Sequence, residues 1–284
     1  MTDLPPLLAR IAEALERLAP PPAKAPAPSD PHADASVWIW DGAARALVPV
    51  LKPRRVPLGF LLGVDGQKAR LLANTERFAA GLPANHALLW GARGAGKSAL
   101  VKAVHAAVAA TVPSLKLVEL ARADVAEAPR VADVLAKAGW RAILFIDDLS
   151  FERGETGYKA LKPVLDGGVS GAFADVVTYV TSNRRQLVNR AASDAEDFRA
   201  DETMDEQVSL SDRFGLWLGF HPMDQATWLA IVTTGARALG LDPDDPGLER
   251  WALQWSAARG ARSGRSAWQC LVERAGALGR SIEL

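Results

Sequence analysis

The sequence predicts an α/β fold: a parallel sheet with helices on its faces, followed by a small helical part at the C-terminus. Three observations carry this. Apolar runs near residues 87–90, 115–120, 143–146 and 176–180 alternate with stretches of helical spacing, and repeated strand–helix alternation specifies a parallel sheet. Ile143-Leu144-Phe145-Ile146 is apolar throughout, as a strand covered on both faces must be, and it runs into two acids, Asp147-Asp148. From Asp224 onward only helical spacing remains, at roughly 224–239, 246–258 and 264–278.

Composition sets the outer limits. With 284 residues, 49% of them hydrophobic, the chain can bury a large core and a smaller one. Lys plus Arg and Asp plus Glu both total 33, so a chain that coats nucleic acid non-specifically is not expected. One cysteine, Cys270, excludes an intramolecular disulfide and reads as a small apolar helix residue. The four histidines are scattered, which argues against a zinc site. No apolar run is long enough to span a bilayer, and Asp3, Glu13 and Glu16 interrupt the N-terminal pattern in a way no signal peptide does. A cytoplasmic protein is expected.

The elements follow in order. Leu4, Leu8, Ile11, Leu15 and Leu18 fall on one helical face, predicting an amphipathic helix within residues 1–19. A Pro/Ala-rich linker occupies 20–36. A helix on such a tether either packs back on the body or docks a partner. Residues 37–84 read as an N-terminal extension of the core. They hold short strands near 37–40, 47–51 and 56–62, broken by prolines, then a helix from Asp65 to Ala80. The α/β domain spans 85–222 and the helical part 223–284. A helix from about Val125 to Ala138 separates the second and third core strands, and one from Tyr158 to Leu165 precedes the fourth. Residues 193–205 read as a flexible acidic insertion, and Leu216–Phe220 as the last strand. Trp251 and Trp255 lie four apart on one helix face, the pattern of a small-domain core rather than of a base-stacking platform.

The chemistry concentrates at residues 91–98. Gly91-Ala92-Arg93-Gly94-Ala95-Gly96-Lys97-Ser98 lies between the strand at 87–90 and a helix. Glycines at this spacing let backbone N–H groups curl around phosphate oxygens, and the helix N-terminus adds partial positive charge. Lys97 is expected on the β- and γ-phosphates and the Ser98 hydroxyl on Mg²⁺. Asp147 is the second expected Mg²⁺ ligand, through water, and Asp148 is expected to orient the attacking water. The strand ends at Gly91, Asp147 and Asn183 fall together at the carboxyl edge of the sheet, where such folds bind ligands.

These strings resemble the AAA+ ATPases, in the same order along the chain. Residues 85–98, Ile146-Asp147-Asp148-Leu149-Ser150-Phe151, Tyr158–Lys162, Thr181-Ser182-Asn183-Arg184-Arg185 and Leu210–Trp217 resemble one bacterial AAA+ family in particular, domain of unknown function 815, over roughly residues 50–280. The resemblance implies an AAA+ P-loop domain with a helical lid, binding ATP and Mg²⁺. It implies that Asn183 is the sensor-1 residue on the γ-phosphate or the attacking water. It implies that Arg213 is an arginine finger acting on a neighbouring subunit's nucleotide, with Arg184 or Arg185 as competitors and a salt bridge to Asp212 or to the acidic insertion as the plain alternative. It implies that Arg265 is the sensor-2 arginine, with Arg262 as its alternative. Many AAA+ motors carry Asp-Glu where this chain has Asp147-Asp148. The shorter pair is the one found in replication initiators and helicase loaders, which use ATP as a switch, and implies slow turnover unless a partner or oligomer completes the site. The expected partner is a protein or nucleoprotein, together with further copies of the chain. Direct nucleic-acid contact through Lys52, Arg54, Arg55, Arg184 and Arg185 is the lesser expectation. The alternative function is a nucleotide-gated adaptor with little hydrolysis. A small-molecule kinase is a third reading, weakened by the absence of an evident acceptor site.

Overall fold

Seven strands form a single sheet in the order β2-β1-β4-β5-β6-β3-β7. In the computed structural model they are β1 Val37–Asp41, β2 Ala46–Pro49, β3 Ala87–Gly91, β4 Leu115–Glu119, β5 Arg141–Ile146, β6 Val176–Ser182 and β7 Leu216–Phe220. Every pairing is parallel except the β1–β2 hairpin. The helices are α1 Asp65–Ala79, α2 Lys97–Ala109, α3 Ala128–Lys137, α4 Leu161–Leu165, α5 Gln225–Ala238, α6 Pro246–Arg259 and α7 Gly264–Ala277. The residues described are 35–151, 157–167, 173–184, 187, 210–243, 245–260 and 262–281. The N-terminal helix, nearly all of the proline-rich linker, the acidic insertion and Arg185 lie outside them. All of these elements belong to one compact unit, Ser36–Leu284.

The four core strands and the C-terminal helices form where the apolar pattern predicts them. Four segments differ. β1 lies parallel to β4, with Val37 opposite Leu117, so the stretch before the core is part of the main sheet. Residues 56–62 do not form a strand. Pro57 starts a 3-10 turn at Leu58–Phe60, and the N–H of Leu61 donates to the Leu58 carbonyl rather than to a ladder. The helix expected at 125–138 divides into a 3-10 turn at Arg122–Glu127 and α3, because Pro129 sits at the start of α3 and favours a new helical first turn. The segment at 158–165 divides likewise, into a 3-10 turn at Gly157–Ala160 and the short α4.

Two cores result. One face of the sheet packs Leu89, Ile143, Phe145 and Tyr179 against Leu71 and Phe78 of α1 and Leu100 and Val104 of α2. Buried hydrogen bonds fix α1 here: Tyr179 meets Thr75 at 2.8 Å and receives the Asn74 amide at 3.0 Å, and Asn74 also caps the chain at Asn85. The second core belongs to α5, α6 and α7. Trp228, Val232, Trp255, Cys270 and Leu271 form it, with Trp251 packed alongside. The indole N–H groups find partners, Trp228 on the Ser266 hydroxyl and Trp255 on Glu273. Burial pushes the Cys270 thiol up to about 12, so it serves packing.

Candidate nucleotide-binding site

The loop after β3 is shaped by one contact. Gly91 has φ +126, and a Cβ there would lie 1.9 Å from the Phe220 carbonyl at the end of β7. Only glycine lets the two strand ends approach so closely, and the Ala92 N–H uses the approach to donate to that carbonyl at 2.9 Å. Gly94 and Gly96 also have positive φ, and Gly96 caps α2. Ala95 is buried within the turn, while Arg93 is exposed at its rim.

Lys97 opens α2 and is nearly buried. Its Nζ donates to the carbonyls of Gly91 and Ala92, both at 2.8 Å, and to Asn183 Oδ1 at 3.2 Å. Burial lowers its pKa, opposed by the carboxylates of Asp148 and Asp147 and reinforced by Arg93 and Arg265. Asp147 follows β5 and accepts from the Ser98 and Thr181 hydroxyls, each at 2.5 Å. Asp148 accepts from the Asn183 amide at 2.5 Å. The ends of β3, β5 and β6 therefore bring Lys97, Ser98, Asp147, Asp148 and Asn183 into one hydrogen-bonded cluster. Ser98 and Asp147 offer adjacent hard oxygens beside the loop, a donor set that suits Mg²⁺.

This cluster floors a cavity of about 670 Å³. The sheet and loop supply the polar floor. The 3-10 turn before α1 supplies an apolar wall with Phe60, Leu61 and Val64, and α5 and α7 close the far side with Ile231, Arg265 and Trp268. Arg265 stands in the first turn of α7, whose cap Ser263 packs against Gly94. Arg262 is exposed and does not line the cavity. Arg184 is exposed beyond β6. Arg213 is not in the cluster. It precedes β7, and its guanidinium pairs with Asp166 at 2.7 Å rather than with Asp212. Because β7 runs parallel to β3 with Leu216 opposite Ala87 and Phe220 opposite Gly91, Arg213 sits at the opposite edge of the sheet from the loop.

Two contributions were not read from the sequence. Thr181 resembles any β-branched strand residue until its hydroxyl is seen on Asp147. The wall at 56–64 carries no polar motif, and its apolar residues read as strand. Among the described residues no cluster of His, Cys, Asp and Glu forms a metal site of its own, and no helix is long and apolar enough to cross a membrane.

Comparison with known proteins places the fold. The Aeropyrum pernix ORC1 protein, solved in complex with DNA, is similar with a TM-score of 0.52 at 17% identity, over 80% of this chain and 66% of that one. A DNA replication initiation factor is similar with a TM-score of 0.52 at 14% identity, over 81% and 67%. The Aeropyrum pernix ORC2 protein, solved in ADPNP–ADP complexes, gives 0.51 at 14%, over 81% and 66%. The chain thus spans about two thirds of the length of these structures. No curated protein matches it by sequence. These likenesses establish an AAA+ P-loop fold with C-terminal helices. The family model described as "Protein of unknown function (DUF815)" matches residues 32–278, and the chain belongs to that family.

Proposed function

We propose that this protein binds Mg-ATP in the cavity, hydrolyses it, and couples nucleotide state to the position of its helical lid or to assembly, acting on a protein or nucleoprotein partner. The observation that carries the reading is the convergence of Lys97, Ser98, Asp147, Asp148 and Asn183 from three strand ends, with Arg265 facing them from α7. Loop N–H groups and Lys97 receive the phosphates, and Lys97 exchanges its two carbonyl partners for phosphate oxygens, whose charge offsets its desolvation. Ser98 and Asp147 hold Mg²⁺, which neutralises phosphate charge when bound. Asp148, steadied by Asn183, orients the water, and Arg265 follows the nucleotide from the lid. Asp148 is one methylene shorter than glutamate, which supports slow turnover in the isolated subunit.

Arg213 is separated from the loop by the five-residue length of β7, roughly 16 Å of strand. That separation supports action on a neighbouring copy's nucleotide, and with it a homo-oligomer. The exposed Lys52, Arg54 and Arg55 leave direct nucleic-acid contact as a lesser reading. Likeness to ORC1 and to a replication initiation factor supports a nucleoprotein setting, at the level of fold. A second reading, a nucleotide-gated adaptor with little hydrolysis, is favoured by one contact: the Asp148 carboxylate is already engaged by Asn183.

Calorimetric ATP binding together with phosphate release tests the proposal. Lys97→Ala is expected to lose binding. Asp148→Asn is expected to keep binding and lose hydrolysis at least about 100-fold. Hydrolysis unchanged in Asp148→Asn would remove residue 148 from the chemistry, and wild type that binds ATP without measurable turnover in any assembly state would select the adaptor.

A further inference from the structure

Thr181 is the penultimate residue of β6 and is 1% exposed. It grips the turn that carries the acidic pair at three points. Its hydroxyl donates to Asp147 Oδ1 at 2.5 Å, the same hydroxyl oxygen accepts the Asp148 N–H at 2.9 Å, and its carbonyl accepts the Leu149 N–H at 2.8 Å. The Ser98 hydroxyl and, at 3.1 Å, the Asp148 N–H also donate to Asp147 Oδ1. All three donors converge on one carboxylate oxygen, so Oδ2 is the oxygen these contacts leave for a cation. Asp148 itself has φ +51, one of two non-glycine residues with positive φ among the described residues. Aspartate enters left-handed backbone more readily than most side chains, and here two hydrogen bonds from the Asp148 N–H, the shorter to Thr181, hold it there. The turn so held sends the Asp148 side chain to Asn183.

We propose that Thr181 is a positioning residue that couples the two acids: through one hydroxyl it presents Asp147 Oδ2 to the cation and fixes the turn that aims Asp148. This rests on the Mg-ATP reading of the same site. Thr181 lines the cavity beside the two acids, and its role is argued through its hydrogen bonds to them. Valine keeps its shape and burial but loses both hydroxyl contacts, whereas serine keeps both and loses one methyl. Metal affinity is sensitive to such outer partners, typically by 10–100-fold.

The test compares wild type, Thr181→Val and Thr181→Ser as full chains, using a fluorescent ATP analogue titrated with and without Mg²⁺, and steady-state hydrolysis. Thr181→Val is expected to bind the analogue as wild type does in chelator. It should need about tenfold more Mg²⁺ for the metal-dependent gain in affinity, with kcat reduced and KM for ATP near wild type at saturating Mg²⁺. Thr181→Ser should restore the Mg²⁺ midpoint. If the valine protein does not fold, Thr181→Ala makes the same comparison with serine. A wild-type Mg²⁺ midpoint in the folded hydroxyl-less variant, or serine failing as badly as valine, overturns the proposal while leaving the functional reading intact. Nucleotide binding by wild type that ignores Mg²⁺ overturns the Mg-ATP reading and this proposal with it.

Discussion

Gly91 and Lys97 show how differently residues in one loop can be tested. An alanine at 91 would set its Cβ 1.9 Å from a backbone oxygen, where no side chain can move aside. Gly91→Ala should therefore cost about 2 kcal/mol or more in stability and abolish nucleotide binding, measured by urea unfolding and calorimetry. Away from the site, His86 and His105 are expected to contribute to acid sensitivity. Burial depresses both imidazoles from 6.5 to about 4, against weaker opposing hydrogen bonds to Leu165 and Leu115. Below pH 6.5 the unfolded chain takes up these protons and the folded chain does not, so stability falls as pH drops toward 4. The loss is up to about 3 kcal/mol for each imidazole. His105 Nδ1 is buried without a hydrogen-bond partner, so leucine there removes an unsatisfied polar atom along with one bond at 3.2 Å. His105→Leu should roughly halve the loss of unfolding free energy between about pH 7 and about pH 5. An unchanged loss would show that His105 is not the group responsible. That Lys97, Ser98 and Asp147 would lie together was legible in the sequence, because a glycine loop and an acidic strand end at that spacing bring those types to one edge of the sheet. Thr181 was not, since a threonine in a strand satisfies β-propensity whether or not its hydroxyl has work elsewhere.

Helix α7 shows the same limit for a whole element. Its spacing located it within one residue of Gly264–Ala277, with a Ser263 capping box to start it. What spacing cannot tell is whether an apolar face turns to a core or to a cleft. Cys270 turns to the small core, Leu271 packs there and also reaches the cavity, and Arg265 and Trp268 line the cavity, with Trp268 39% exposed. The segment at 56–62 failed for a related reason: a short apolar run reads as a strand, yet prolines at 53 and 57 break the ladder, and the run becomes a cavity wall. Gly235 in α5 lets α7 pack close, since a Cβ there would meet Leu271 at 2.4 Å. On the Mg-ATP reading, helices so joined should report what the cavity binds. ADP binding is expected to change intrinsic tryptophan fluorescence, and Trp268→Phe should lose most of that change while weakening affinity a few-fold, about 0.5–1 kcal/mol. An undiminished signal in the variant would move the nucleotide away from α7.

At the scale of the molecule, the sheet forbids a complete site within one chain if Arg213 is catalytic, because parallel strands put the loop and Arg213 at opposite edges. The family resemblance named this arginine, but only the register of β3 and β7 shows why it cannot serve its own loop. Its pair with Asp166 lies partly exposed, and such pairs contribute about 0–1 kcal/mol, so urea unfolding of Arg213→Ala accompanies its hydrolysis assay. Where the variant unfolds as wild type does, a loss of hydrolysis is not a loss of structure. Mixing separates the remaining alternatives. Asp148→Asn subunits carry an intact Arg213 but cannot orient water; Arg213→Ala subunits carry an intact loop and acids but no finger. Each alone should be inactive. Mixed in equal amounts at concentrations that favour assembly, about one quarter of interfaces join an intact site to an intact finger if subunits combine at random, and hydrolysis should return to that level. If Arg213 serves structure alone, its alanine variant keeps its own activity from the start. If the finger is instead Arg184 or Arg185, the same pattern follows their variants, and the complementation itself identifies which arginine crosses the interface.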